Sequence, residues 1–273
     1  MIIDTHCHLV HPKYGDMAAL RAESEALGVT HCICQGTGPQ DWEPQLALAR
    51  QFPQFISSCL AVHPSECAEP GVEDDCLLRM RELCLAHPQA AIGETGLDYY
   101  WDAPEGWSEG AYRARQRRYL EYHYALAEEL GLNICLHTRD KVGQGSACFD
   151  DAFAIARNFP KVRPVFHCFI GTRAQAEAIF TELDGLVSFT GLITFKKTEQ
   201  VQQVAAWCPA DRFMLETDAP YLSPEPYRGQ LNIPGRTRFV AEKVAELRGI
   251  ALDEVAALTT ATARKFFRFT EGV

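Results

Sequence analysis

Two histidines one residue apart, His6 and His8, follow the apolar pair Ile2-Ile3 at the start of the chain. Alternate side chains of a strand share a face. Both imidazoles therefore project together, and neutral imidazole is the commonest protein ligand for a transition metal. Further candidate donors stand far away in sequence but in equivalent places. His63 follows the run Phe55 to Val62, Glu94 follows Ala90 to Gly93, and His137 follows Asn133 to Leu136. His167 follows Val162 to Phe166, and Asp218 closes the segment that starts at Phe213. His6, His8, Glu94, His137, His167 and Asp218 outnumber the three or four protein ligands of one catalytic zinc. They suit two divalent ions about 3.5–4 Å apart that share a carboxylate. Glu94 is the natural bridge, because its strand lies between the others across the site. Mixed nitrogen and oxygen donors fit zinc or manganese, and fit magnesium less well at the imidazoles.

Such residues converge only if the elements before them bring their ends together. Short apolar runs alternate with amphipathic ones along the chain. The spacing predicts helices over Met17 to Leu27, Asp41 to Phe52, Asp74 to Leu85, Glu109 to Leu130, Ala147 to Asn158, Thr172 to Leu183, Glu199 to Trp207, Arg236 to Leu247 and Asp253 to Phe267. Gly28 and Gly131 stop two of them, and Thr172 caps a third. Strand-then-helix repetition implies a parallel sheet. Eight such units in this length suit a closed (β/α)8 TIM barrel, an α/β fold, with one extra C-terminal helix. No Gly-x-Gly-x-x-Gly follows the first strand, as an open dinucleotide-binding sheet would require. No shift in composition marks a linker, so residues 1–273 read as a single domain. In a barrel the carboxyl ends of the strands form one mouth, which is where active sites sit.

The formal net charge of −10 argues against a broad basic nucleic-acid footprint, though a local one remains open, and bound cations would offset part of it. Eleven cysteines, an odd number with no Cys-x-x-Cys, indicate free thiols in a reducing compartment. With no signal-like segment and no apolar run of about twenty residues, the expectation is a cytoplasmic protein with no membrane association. No protein partner is implied.

The motifs Asp4-Thr5-His6-Cys7-His8, Ala61-Val62-His63-Pro64, Gly93-Glu94-Thr95-Gly96-Leu97-Asp98-Tyr99-Tyr100, His137-Thr138-Arg139-Asp140, His167-Cys168-Phe169 and Glu216-Thr217-Asp218-Ala219-Pro220-Tyr221 occur in this order along nearly the whole chain. Together they resemble the TatD-type metal-dependent hydrolases of the amidohydrolase superfamily. The resemblance implies a TIM barrel, one or two divalent metals, and hydrolysis, with several members acting as DNases. It also implies that His6, His8, Glu94 and Asp218 hold one ion, and that Glu94, His137 and His167 hold the other. Two stretches depart from the family pattern. Ile170 stands where a small hydroxyl residue is usual. Arg228-Gly229-Gln230-Leu231-Asn232-Ile233-Pro234 lacks two basic residues and one acid of the corresponding run.

The reading is therefore a phosphodiesterase or deoxyribonuclease in which metals activate a water. DNA or another phosphodiester is the expected substrate and Asp218 the general base. His63 and Arg139 would contact substrate oxygens, Arg139 because it shares a face with His137. The rival is an amidohydrolase acting on a small amide, ester or lactone. Asp4 and Glu216 are expected to orient ligands rather than bind metal. Tyr99, Tyr100 and Trp101 form a candidate stacking platform for a base. Cys7, Cys135 and Cys168 are expected to face away from the ligands beside them. His11, His31, His87 and His123 read as ordinary, and Arg113, Arg115, Arg117 and Arg118 as a solvated helix face.

Overall fold

The computed structural model describes residues 1–269. Its strands are β1 (Ile2–Cys7), β2 (Val29–Gln35), β3 (Ile56–Leu60), β4 (Ala91–Asp98), β5 (Ile134–Arg139), β6 (Pro164–Phe166), β7 (Leu186–Phe189) and β8 (Phe213–Leu215). The helices between and after them are α1 (Met17–Ala26), α2 (Pro39–Gln51), α3 (Asp75–Ala86), α4 (Glu109–Leu130), α5 (Ala147–Ala156), α6 (Arg173–Glu182), α7 (Glu199–Trp207), α8 (Thr237–Arg248) and α9 (Leu252–Phe267). Local signals set their limits. The Ser108 side chain accepts the Ala111 N–H at the start of α4, and Gly131 ends that helix in the left-handed region. Thr172 and Gln175 form a reciprocal capping box on α6.

All eight strands run parallel in the order β1 to β8. The ring closes beyond the end of β8, where the Asp218 N–H donates to the His6 carbonyl at 2.9 Å and the His8 N–H donates to the Ala219 carbonyl at 2.7 Å. Asp4 strengthens this seam by accepting the Thr217 N–H at 2.9 Å and the Thr217 hydroxyl at 2.6 Å. The same closure carries Asp218 to the mouth.

Inside the ring, one side chain from each strand builds a floor: Ile3, Ile33, Cys59, Ala91, Cys135, Val165, Leu186 and Met214. Phe266 and Phe267 of α9 plug it from below. The residues two positions on, among them Gln35, His137, His167, Ser188 and Glu216, form the layer above. Two strands reach that layer by breaking the alternation. The register shifts between Asp4 and Cys7 in β1 and between Ile92 and Glu94 in β4. These irregularities turn His6 and Glu94 inward three residues after Ile3 and Ala91. Gly93 permits the second shift, since a Cβ there would stand 2.5 Å from the Cys59 carbonyl oxygen.

The strand reading falls short at β4 and β5. Glu94 does not end its strand: Glu94 to Asp98 continue the ladder against Cys135 to Arg139. A strand that lines a polar mouth has no apolar run for a hydrophobic pattern to detect. Cys135 is also a correction. It lies two residues before His137, on the same face, and belongs to the floor directly beneath the ligands. Its packing role stands. The arginines of α4 are likewise more than a solvated face, because Arg115 is largely buried and donates to the Cys67 and Val72 carbonyls.

Candidate metal centre

Glu94 stands at the centre of the mouth, buried, with a different set of donors on each of its two oxygens. Glu94 Oε1 lies 3.1 Å from His137 Nδ1 and 3.0 Å from His167 Nε2, and those two nitrogens are 3.1 Å apart. Glu94 Oε2 lies 3.3 Å from both His6 Nε2 and His8 Nε2. Asp218 Oδ1 completes the second set, 3.8 Å from His6 Nε2 and 3.3 Å from His8 Nε2. Ligand atoms about 2.0–2.2 Å from one ion sit roughly 3–3.6 Å from one another. Both sets have nearly that spacing. Among the described residues, the groups of three mutually close enough to hold one cation are His6, His8 and Asp218; His6, Glu94 and His167; and His63, Glu94 and His137.

The outer nitrogens of the imidazoles show which atoms are free to bind. His8 Nδ1 donates to the Gln35 carbonyl at 3.1 Å. His137 Nε2 donates to Asp98 Oδ2 at 3.1 Å. His167 Nδ1 lies 3.4 Å from Glu216 Oε1. In the neutral rings of His8 and His137 this leaves the inner nitrogen as a lone pair toward Glu94, the arrangement in which an acceptor orients a metal-binding imidazole, while His167 Nδ1 has no hydrogen-bond partner. His6 stacks on His167, their centroids 4.0 Å apart, and its buried Nε2 has no hydrogen-bond partner. An orphaned nitrogen of this kind is costly. A cation would relieve it, so the residues present fit a divalent metal.

Without a cation the carboxylates hold protons on the imidazoles. Burial works against charge on His8, but its hydrogen bond to Asp218 and the charges of Glu94 and Asp218 outweigh it and push its pKa up to about 9. Burial likewise opposes the protonated form of His167, yet Glu94 and Glu216 raise it well above the ordinary value. Glu94 moves the other way. Burial would raise it, but the surrounding imidazoles hold it well below the usual carboxylate range.

His63 stands beside this cluster in a different tautomer. The Ser65 N–H donates to His63 Nδ1 at 3.2 Å, so Nε2 carries the proton and points at Glu94 Oε1, 3.4 Å away. It is a donor here, not a lone pair. Arg139 projects from the same face as His137 with its guanidinium 3.9 Å from the centre of the Tyr100 ring. No carboxylate of the described residues pairs with it. Asp140, its neighbour, turns away and accepts the Cys148 N–H at 2.8 Å.

The platform Tyr99-Tyr100-Trp101 is only partly realised. Tyr99 is buried and its hydroxyl is held by Asp151 at 2.7 Å and Arg117 at 3.1 Å. Tyr100 is half covered and lies under Arg139, which leaves Trp101 open. Of the histidines outside the motifs, His31 bonds Gln54 and Ser57, and His123 bridges Val62 and Thr95. His11 stands beside Tyr221 at the rim. Asp98, to which the sequence alone assigned no role, is the acceptor behind His137. Its signal was present, since Asp98 falls at even spacing from Glu94. Asp218 and Cys168 adopt left-handed φ angles of 56° and 46°, unusual for residues other than glycine. Such conformations collect at functional sites, where the surroundings hold them.

Several solved structures share this architecture. YJJV, a TatD homolog from Escherichia coli K12, aligns with a TM-score of 0.86 over 98% of both chains at 27% identity. An amidohydrolase from Saccharomyces cerevisiae aligns at 0.79 with 16% identity and shows the fold alone. Fold and relatives together define a metal-dependent hydrolase barrel. The family model described as TatD related DNase matches residues 3–268, and the chain belongs to that family. The metal-dependent hydrolase YcfH of Escherichia coli K12 is 34% identical over 97% of this chain and 95% of its own length. A 3'-5' ssDNA/RNA exonuclease TatD from Erwinia tasmaniensis is 33% identical over 88% of this chain and 89% of its own.

Proposed function

We propose that residues 1–273 form one barrel that hydrolyses phosphodiester bonds in nucleic acid, DNA foremost, with two divalent ions, zinc, manganese or magnesium. The observation that carries this reading is the division of Glu94. One oxygen faces His137 and His167, and the other faces His6, His8 and Asp218. When bound, such ions supply Lewis acidity and bring the pKa of a water toward 7.

The chain's own groups do the rest. Burial tends to raise the pKa of Asp218, but the hydrogen bond from His8 and the nearby imidazoles outweigh it and hold the carboxyl low. It is therefore ionised and accepts the proton of the attacking water. The Nε2–H of His63 donates to a substrate oxygen. Arg139, braced on Tyr100 and without a carboxylate partner, offsets charge on the non-bridging oxygens. The Erwinia relative's name supports nucleic acid as the substrate. No helix of the described residues is long and apolar enough to cross a membrane, and all eleven cysteines are free thiols. Free thiols support a cytoplasmic setting.

The test is a hydrolysis screen on metal-loaded protein, with single-stranded DNA, RNA, a phosphodiester model compound and panels of neutral amides, esters and lactones. Metal content is measured on the same preparation. Cleavage of DNA with close to two ions per chain is expected. Hydrolysis of a neutral amide, ester or lactone, with DNA and phosphodiesters untouched under magnesium, manganese and zinc, would transfer the protein to the amidohydrolase reading.

A further inference from the structure

Large apolar and aromatic side chains are mostly covered in this protein, yet two aromatic ones at the mouth are not. Trp101 is 55% exposed and Tyr221 is 52% exposed. Neither hangs free. Trp101 meets Tyr100 edge-on at 4.9 Å, with the Arg139 guanidinium 5.7 Å from its ring. Tyr221 stands edge-on to His8 at 6.3 Å and to His11 at 6.0 Å. Its backbone is pinned from both sides: the Tyr221 N–H donates to the Asp218 carbonyl at 2.9 Å, and its carbonyl accepts from Asn232 Nδ2 at 2.6 Å. Exposed aromatic area held in place costs solvation without adding to the core.

Their positions are complementary. Trp101 follows β4 and meets Arg139 at the end of β5, whereas Tyr221 follows β8 and meets His8, the residue just past β1. In a closed ring of eight strands, β1 and β5 lie four positions apart in either direction. The two rings therefore stand on opposite walls, with Glu94 between them. Every base has a π-face, so ring stacking binds single strands with little regard to sequence.

We propose that Trp101 and Tyr221 are two base-stacking positions, one on each side of the metal centre, so that the protein holds a nucleotide on either side of the phosphate it cleaves. This rests on the phosphodiesterase reading above and specifies its substrate as an unpaired strand at least two nucleotides long. Paired bases cannot offer their faces to both walls.

Trp101→Ala, Tyr221→Ala and Tyr221→Phe are compared on a single-stranded oligonucleotide, on the same oligonucleotide with a base-less spacer 5' or 3' of the cleaved bond, and on methyl p-nitrophenyl phosphate. The readout is the ratio of kcat/KM on oligonucleotide to that on the small diester. Each alanine variant should lower this ratio roughly 5- to 150-fold, the range for loss of one stacked base. Tyr221→Phe should restore it. A spacer on one side should reproduce the loss in the wild type and add little in the variant missing the matching ring. Unchanged ratios in both alanine variants would overturn the inference. So would a phenylalanine variant as impaired as Tyr221→Ala, which would assign the contact to the hydroxyl. A wild type that cleaves the small diester and no oligonucleotide would overturn the stacking positions alone. A wild type inactive on both would remove the phosphodiesterase reading beneath them.

Discussion

The floor of the barrel and the layer above it are built by the same strands, two or three residues apart, and their chemistry is opposite. Ile3, Ile33, Ala91, Val165, Leu186 and Met214 fill the floor with the thiols Cys59 and Cys135, and α9 closes it from below. One step up, Glu94, His6 and His167 are as thoroughly buried, yet they are ionisable. Burying apolar area stabilises a fold, at about 25 cal/mol per Å². Burying a charge costs several kcal/mol unless it is paired. Here each charge is paired with another titratable group, and the protons held by His8 and His167 stand where a cation would stand. The floor maintains the ring, while the upper layer is retained for what it binds. Metal affinity should accordingly rise with pH up to about 9, as protons leave His8 and cease to compete.

That division can be broken experimentally, and the largest effect is expected at Asp218. Asp218→Asn keeps the shape and a ligand oxygen but loses basicity. A fall in kcat of about 10²–10⁴ is expected. Metal content measured on the same sample separates loss of the base from loss of the ion, and a fully loaded variant with normal turnover would end the general-base role.

The floor should respond in stability. Leu186→Ala removes a buried side chain from the closed layer and should cost about 2–5 kcal/mol in denaturant unfolding. Metal affinity should be nearly unchanged. If affinity fell in step with stability, the two layers would not be separable.

A smaller effect, in the opposite channel, is expected from Glu216. It accepts the Ser188 hydroxyl at 2.6 Å and the Cys168 N–H at 2.7 Å while backing His167. Glu216→Gln should weaken metal binding about 10- to 100-fold, the usual cost of losing an orienting partner. Competition with a chelator reads this directly, and an unaltered affinity would make Glu216 a packing group only.

Near neutral pH the smallest effect is at His123, a structural histidine distinct from those of the site. Burial pushes His123 down to about 3, whereas an exposed histidine titrates near 6.5. The unfolded chain therefore takes up a proton below about pH 6.5 that the folded chain refuses. Stability from this residue is complete above that pH. It declines as the pH falls toward 3, by at most about 1.4 kcal/mol per unit. His123→Gln should flatten the pH dependence of unfolding over that interval in metal-loaded protein. Parallel curves for variant and wild type would contradict it.

Much of this molecule is decided by local sequence. Glu109–Leu130 is helical between Ser108 and Gly131 because a hydroxyl cap and a left-handed glycine bound it. The alternation of short apolar strands with helices leads to the parallel ring, and the placement of His6, His8, His137, His167 and Asp218 at or just past the carboxyl ends of the apolar runs locates the mouth. These features depend on residues near one another in the chain, so period and capping reveal them. What tertiary structure alone decided involves partners distant in sequence. Which oxygen of Glu94 meets which imidazoles depends on the register shift at Gly93. Tyr99 is withdrawn from the mouth because Asp151, on α5, holds its hydroxyl. Gly96 to Asp98 read as the start of a loop because a polar cavity beside them leaves no hydrophobic alternation. Only the ladder to β5 makes them a strand. Periodicity records where side chains meet oil or water, and at a site whose interior is itself charged that record is blank.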